Sequence, residues 1–210
     1  MKIRTSKIIV YLLVLIVSLP VGLAGNSSKG AKAESSEEWN YTLLEDGTVS
    51  ITGYLGSETK QLTIPEVIDG KMVTEIGSGA FVGCIALNSI TIPDSVTSIG
   101  SGAFGCCIDL TSITIPDNVT SIGDGAFYFC CELTSITIPN NVTSIGDEAF
   151  ADCERLKKIT IKSPVLKSVG KNAIRGVKKN AVIKVPKGKA KEYKKLFTKK
   201  TGYKKTMKIK

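Results

Sequence analysis

A block of 23 residues, LTSITIPDNVTSIGDGAFYFCCE at 110–132, recurs without a gap on both sides, as LNSITIPDSVTSIGSGAFGCCID at 87–109 and LTSITIPNNVTSIGDEAFADCER at 133–155. Looser copies begin near Leu62 and at Leu156. A fixed period of this length marks units that cannot each bury their own apolar face, so they must stack in a row and share one core. Stacking in register places like residues over like residues. The architecture expected from the period is therefore a solenoid.

Inside each copy the polar and apolar residues divide the unit into parts. Ser112-Ile113-Thr114-Ile115 alternates with a period of two, which predicts a short strand with Ile inward and Ser/Thr outward. Pro116 ends it for want of an N–H, as do Pro65, Pro93 and Pro139 in their copies. Val119 and Ile122 return apolar atoms to the core. A helical turn is expected next, N-capped by Asp124, with Ser78, Ser101 and Asp147 at the same place in the other copies. The pairs Ala80-Phe81, Ala103-Phe104, Ala126-Phe127 and Ala149-Phe150 then combine a small residue that lets coils approach with a ring that fills the interior. Each such ring contributes about 1.5–3 kcal/mol when buried. Gly77, Gly100, Gly123 and Gly146 form a column, expected to mark a bend with a backbone conformation that few other residues accept.

The pattern Leu-x-x-Ile-x-Ile-x-x-Asn at Leu110, Ile113, Ile115 and Asn118 resembles the leucine-rich repeat. The 23-residue form, with Ile-Pro, Ile-Gly, Ala-Phe and a following Cys, resembles its BspA-like subclass. The resemblance implies an α+β repeat solenoid, a right-handed superhelix with short parallel strands, in a secreted or surface-attached protein. Some members are linked to adhesion to host matrix proteins or other cells. It also implies that the strand face is the binding surface, here Ser89, Thr91, Ser112, Thr114, Ser135, Thr137, Lys158 and Thr160. From the residues alone, Ser and Thr at these places equally suit an exposed sheet.

The flanks divide the chain further. In residues 1–33, Lys2, Arg4 and Lys7 precede an apolar run over 8–24, which reads as a secretory signal, cleaved after Ala24 or before Glu34, or as an uncleaved anchor. Residues 34–61 form the N-terminal β cap: two β-rich runs around Asp46-Gly47 predict a hairpin, with Trp39 sealing the open end of the stack. Residues 62–180 hold about five coils, the fifth degenerate, with Lys162 for Pro, Ile174 for Phe and Val177 for Cys. Residues 181–210 form a basic C-terminal cap: a strand over 181–186, a helix over 187–200 with Ala190, Tyr193 and Phe197 on one side, Gly202 as its stop, and a closing strand near Met207 and Ile209.

Charge is segregated along this order: residues 1–33 carry +5, residues 34–155 carry −15 and residues 156–210 carry +19. The Lys-rich end, with Lys184, Lys187, Lys189, Lys191, Lys194, Lys195, Lys199 and Lys200, serves either solubility or attachment to an anionic surface polymer. There is no His, which removes Ser-His-Asp and Cys-His catalysis and every His-containing metal site. No acid, base and nucleophile can be placed together, so the expectation is a non-enzymatic module without cofactor or metal. Its expected partner is a host or cell-surface protein or an anionic surface polymer, not nucleic acid. Contact with a membrane is expected only through an uncleaved signal. Cys84, Cys107, Cys130 and Cys153 lie three residues after the repeat ring and form a column, with Cys106 and Cys131 outside it. Export invites disulfides, and Cys106 and Cys131 could form one, but a column that repeats in register favours free thiols acting as small buried apolar residues for the other four.

Overall fold

The computed structural model describes residues 33–35, 38–56 and 59–210, so the signal expected over 1–33 lies outside the described residues apart from residue 33. Strand β1 (Ala33–Ser35) pairs antiparallel with β2 (Trp39–Leu43), which pairs antiparallel with β3 (Val49–Tyr54) around the expected Asp46-Gly47 turn. Gly47 has φ 82, the left-handed geometry a tight turn needs. From β3 onward the chain coils. β6 (Lys71–Ile76), against which β5 (Val67–Ile68) folds back, is followed by β8 (Ser98–Ile99), β10 (Ser121–Ile122), β12 (Ser144–Ile145) and β14 (Ser168–Val169), each parallel to the strand before it.

The Ser-Ile-Thr-Ile segments make the second set of strands. β4 (Gln61–Thr63), β7 (Ser89–Thr91) and β9 (Ser112–Thr114) form one parallel sheet. β11 (Ser135–Ile138), β13 (Lys158–Ile161), β15 (Val182–Lys184) and β16 (Lys208–Ile209) form another. The strand segment thus divides into two ladders between β9 and β11, although those two strands touch. Ile113 on β9 is only half-buried, whereas Ile90, Ile136 and Ile159 are buried. The fold is a β-solenoid with parallel strands.

Helix is scarce among the described residues. α1 (Ala190–Tyr193) and a 3-10 turn (Lys199–Thr201) stand in place of the long C-terminal helix expected from the sequence. Of the three residues expected on one side of it, Tyr193 and Phe197 are buried and Ala190 is half-exposed. Gly202, at φ 90, ends the 3-10 turn. The segment around each Ala-Phe pair is not helical either. It is a run of turns in which alternate N–H groups bond inside the coil, as Ala126 to Gly123, while Gly125, Phe127 and Phe129 donate to Asp147, Ala149 and Ala151 of the next coil at 2.7–2.9 Å. A helix would hold all these donors within one unit. Here half of them join units, and the last coil's Asn172 and Ile174 donate to Lys200 and Thr201 of the 3-10 turn.

Two of the four expected N-caps, Asp124 and Asp147, take part in the same joining with their side chains. Asp124 Oδ1 accepts from the Asp147 backbone N–H at 2.7 Å, and Asp147 Oδ1 from the Lys171 N–H at 2.6 Å. These carboxylates serve the next coil rather than their own. The glycine column also has a different cause from the one expected. Gly77, Gly100, Gly123 and Gly146 are absent from the left-handed residues, which fall two positions later at Gly79, Gly102, Gly125, Glu148 and Asn172. The column is glycine because the coils meet there: a Cβ on Gly100, Gly123 or Gly146 would stand 2.4–2.8 Å from the preceding coil.

In the core, Phe81, Phe104, Phe127 and Phe150 stack face to face with centroids 5.1–5.3 Å apart and planes within 10°. Trp39 lies edge-on to Phe81 at 6.3 Å and against Tyr54 at 4.9 Å, so it covers the first ring of the column. All six cysteines are free thiols. Cys107, Cys130 and Cys153 each donate to a Phe carbonyl of the preceding coil, Phe81, Phe104 and Phe127, at 3.1–3.2 Å. Three of the four column residues are therefore small buried residues that also satisfy backbone acceptors, while Cys84, in the first copy, is half-exposed. Burial pushes the Cys107 and Cys130 thiols well above their ordinary range. Native protein at about pH 8 should yield at most three thiols to a bulky reagent, the half-exposed Cys84, Cys106 and Cys131, and all six after denaturation without reductant. Recovering six only after reduction would contradict the free-thiol arrangement.

Candidate functional site

Two polar surfaces emerge from this scaffold. The first is the strand face. β7 and β9 set Ser89 beside Ser112 and Thr91 beside Thr114. β11 and β13 set Ser135 beside Lys158 and Thr137 beside Thr160. All eight expected residues thus lie on the strand segments, four in each sheet. Thr91, Ser112, Thr114, Ser135, Thr137 and Lys158 are exposed, and Ser89 and Thr160 half-exposed. Among the described residues, none of their side chains hydrogen-bonds within the protein.

Elsewhere on the coil two columns of polar residues are already engaged. The Thr97, Thr120 and Thr143 hydroxyls donate to the carbonyls of Thr74, Thr97 and Thr120, and Asn118 and Asn141 donate to those of Asp94 and Asp117. The contrast separates polar residues that join coils from polar residues that face outward. Toward the C-terminal end the strand face turns basic: Lys158 is followed in register by Val182 and Lys208, and Thr160 by Lys184.

The second surface is the Lys-rich end. Of its eight expected residues, Lys195, Lys199 and Lys200 line one cleft of about 710 Å³. Lys184 instead belongs to the strand face, and Lys189 is paired with Glu192 at 2.8 Å. Lys187, Lys191 and Lys194 are exposed away from that cleft. The cleft also draws on Lys167 and Lys171, which were not among the expected site residues. Their signal was present in the repeat: Lys167 stands where earlier copies have Thr143 and Thr120, and Lys171 where they have Asp147 and Asp124. A charge gained in a column of Thr, and a basic residue in a column of Ser and Asp, are both visible without coordinates.

Tyr128 and Phe129 are half-exposed on the turn edge, their rings 5.8 Å apart. Phe129 and Cys106 both hold left-handed φ values, 60 and 59, where Gly83 and Gly176 sit in other coils. Among the described residues no cluster of His, Cys, Asp or Glu suited to a metal occurs, and no helix is long and apolar enough to cross a membrane.

Residues 54–204 match the BspA type leucine rich repeat region, in six copies. Among solved structures, a leucine rich repeat protein of T. pallidum is 31% identical, over 74% of this chain and 72% of its own, with a TM-score of 0.66. A leucine rich cell surface protein of Faecalibacterium prausnitzii A2-165 is 35% identical over 76% of this chain but only 46% of its own, with a TM-score of 0.64. The pneumococcal vaccine antigen PcpA, 23% identical over 78% of this chain and 52% of its own, shares the fold with a TM-score of 0.57. No curated protein matches.

Proposed function

Since the chain belongs to the BspA-type leucine-rich-repeat family, we propose that it is a non-enzymatic binding module exported to the cell surface, engaging a protein partner through its strand face. The observation that carries this reading is the unengaged outward row, Thr91, Thr114 and Thr137 above all, in contrast to the Thr97, Thr120 and Thr143 hydroxyls and the Asn118 and Asn141 amides, which are bound to neighbouring coils. A row of unsatisfied donors and acceptors at strand spacing offers a partner many weak polar contacts at once. The F. prausnitzii relative, described as a cell surface protein, supports the location.

The variant Thr91→Glu, Thr114→Glu, Thr137→Glu should abolish capture of the partner from host or cell-surface fractions. Val82→Glu, on the exposed turn edge, should leave capture intact. Equal capture by both variants would refute the strand face. A second reading, retention on anionic polymers of the surface, is supported by the eight C-terminal lysines, of which only Lys189 is ion-paired among the described residues. In that reading cell association falls steeply as salt shortens the Debye length from about 10 Å at 0.1 M to about 3 Å at 1 M.

A further inference from the structure

β14 is the last strand of its ladder, and in the coils before it the following strand covers the same edge. At the C-terminal end the chain after α1, from Lys195 through the 3-10 turn, stands opposite that edge instead, and the cleft of about 710 Å³ lies between them. Lys167 and Lys171 enter it from the last coil, and Lys195, Lys199 and Lys200 from the C-terminal segment. No carboxylate lines it. All five lysines are exposed, and among the described residues none is ion-paired. Like charges on a concave wall focus the field and concentrate counter-ions within it. A second cleft of about 650 Å³ adjoins the first, sharing Asn172 and Lys199 and adding Lys204, Lys205 and Arg175, the last paired with Asp152 at 2.8 Å.

The geometry points to a binding site, along the open edge of β14, for an extended polyol-phosphate polymer: phosphodiesters separated by short hydroxylated units. This rests on the second reading above and is independent of the strand face. Two adjoining basic clefts span more than one phosphate group. The charges in the first cleft are Lys ammoniums, which bind phosphate as point charges without demanding the planar bidentate geometry of Arg. The Ser168 hydroxyl on its wall is a neutral hydrogen-bonding group suited to hydroxyls. Although the Asn172 amide donates to Glu148 at 3.3 Å and Thr198 Oγ1 accepts from the Lys200 N–H at 3.2 Å, the Asn172 Oδ1 can still accept and the Thr198 O–H can still donate. No aromatic ring lines that cleft, so nucleobases have no platform to stack on. The ring in the second cleft, Tyr203, has its hydroxyl donated to the Met207 carbonyl at 3.0 Å.

The test measures binding of the full chain to poly(glycerol phosphate), with heparin and an oligo-dT strand as alternative probes. Lys171→Gln, Lys199→Gln, Lys200→Gln removes three cleft charges, and Lys184→Gln, Lys187→Gln, Lys191→Gln removes three outside it. All six side chains except Lys171's lie in the C-terminal segment, and all are exposed, so neither variant disturbs the core. At about 50 mM salt the cleft variant should bind the polymer at least about tenfold more weakly, and the control less than about threefold. Equal losses would overturn the cleft and leave the anionic reading standing. Tighter binding of heparin or oligo-dT than of the polyol phosphate would overturn the ligand class. Binding to none of the three probes at low salt would remove the anionic reading itself.

Discussion

Gly123→Ala is expected to destabilise the protein by about 3 kcal/mol, the upper end of overpacking penalties, while Gly125→Ala, two residues on, costs about 1–2 kcal/mol. The added Cβ at Gly123 would stand 2.6 Å from the Gly100 carbonyl carbon and from the Ser101 amide nitrogen. Both are backbone atoms, so no rotamer change relieves the contact. The two coils must separate, and separation strains the 2.8 Å bond from the Gly123 N–H to the Ile99 carbonyl. At Gly125 the new Cβ would meet only the Tyr128 Cβ, at 3.7 Å, and the cost is the left-handed φ of +58. Glu148 and Asn172 already hold that geometry one and two coils later, at φ 55 and 57, so the fold tolerates a side chain there. Urea unfolding midpoints of the two variants decide the matter. Equal penalties, or a larger one at Gly125, would mean that conformation rather than close approach selects the glycine column.

Phe127→Ala is expected to cost about 3–5 kcal/mol, the range for truncating a buried ring to leave a cavity. Phe127 is fully buried and stacked on both faces, 5.3 Å from Phe104 and 5.3 Å from Phe150. Such aromatic pairs add about 0.5–1.5 kcal/mol each beyond burial. The larger consequence is for cooperativity. In a solenoid each unit is coupled only to its neighbours, so a cavity in the middle weakens the one interface through which the two halves communicate. Trp39, the single tryptophan, packs on Phe81 and reports the N-terminal half by fluorescence, while circular dichroism reports the whole. In the parent protein the two probes should follow one transition. In Phe127→Ala they should part, with a smaller denaturant dependence for each. Coincident curves and a loss below about 1 kcal/mol would argue that the ring column is packing material without a coupling role.

The period, the strands and the buried columns were legible because each depends on composition at fixed spacing. Ile90, Val119, Phe127 and Leu133 are buried for the same reason that they recur. What escaped was anything that depends on the contact between one coil and the next. Asp124 before Gly-Ala-Phe has the local signature of an N-cap, and local sequence cannot tell that its carboxylate reaches an N–H 23 residues away. Gly123 looks the same in sequence whether glycine is required by φ or by proximity. The division of the strand segment between β9 and β11 has no counterpart in the nearly identical copies on its two sides. For the outward surfaces, the Ser/Thr row was legible from alternation. The basic cleft was only half so, because Lys167 and Lys171 are far in sequence from Lys195, Lys199 and Lys200 and meet them only through the return of the C-terminal segment.

The forward-donating turns give the stack an arrow. Gly79, Phe81 and Gly83 hand their N–H groups to Ser101, Ala103 and Gly105, the same exchange repeats down the molecule, and the 3-10 turn receives the last of it. Along the turn segment any interior unit therefore presents acceptors to the unit before it and donors to the unit after it. At the glycine column and the Thr before each short strand the N–H groups, such as Gly123 to Ile99 and Thr120 to Thr97, run the other way. Duplicating residues 110–132 would create no new kind of junction; it would lengthen the molecule by about 4.8 Å, the spacing of neighbouring strands. The two ends, one closed by Trp39 and one by Lys200 and Thr201, are each made once. Reach is thus a quantity that gene duplication can adjust in whole steps, with the distance between the two ends changing and the chemistry at either end held constant.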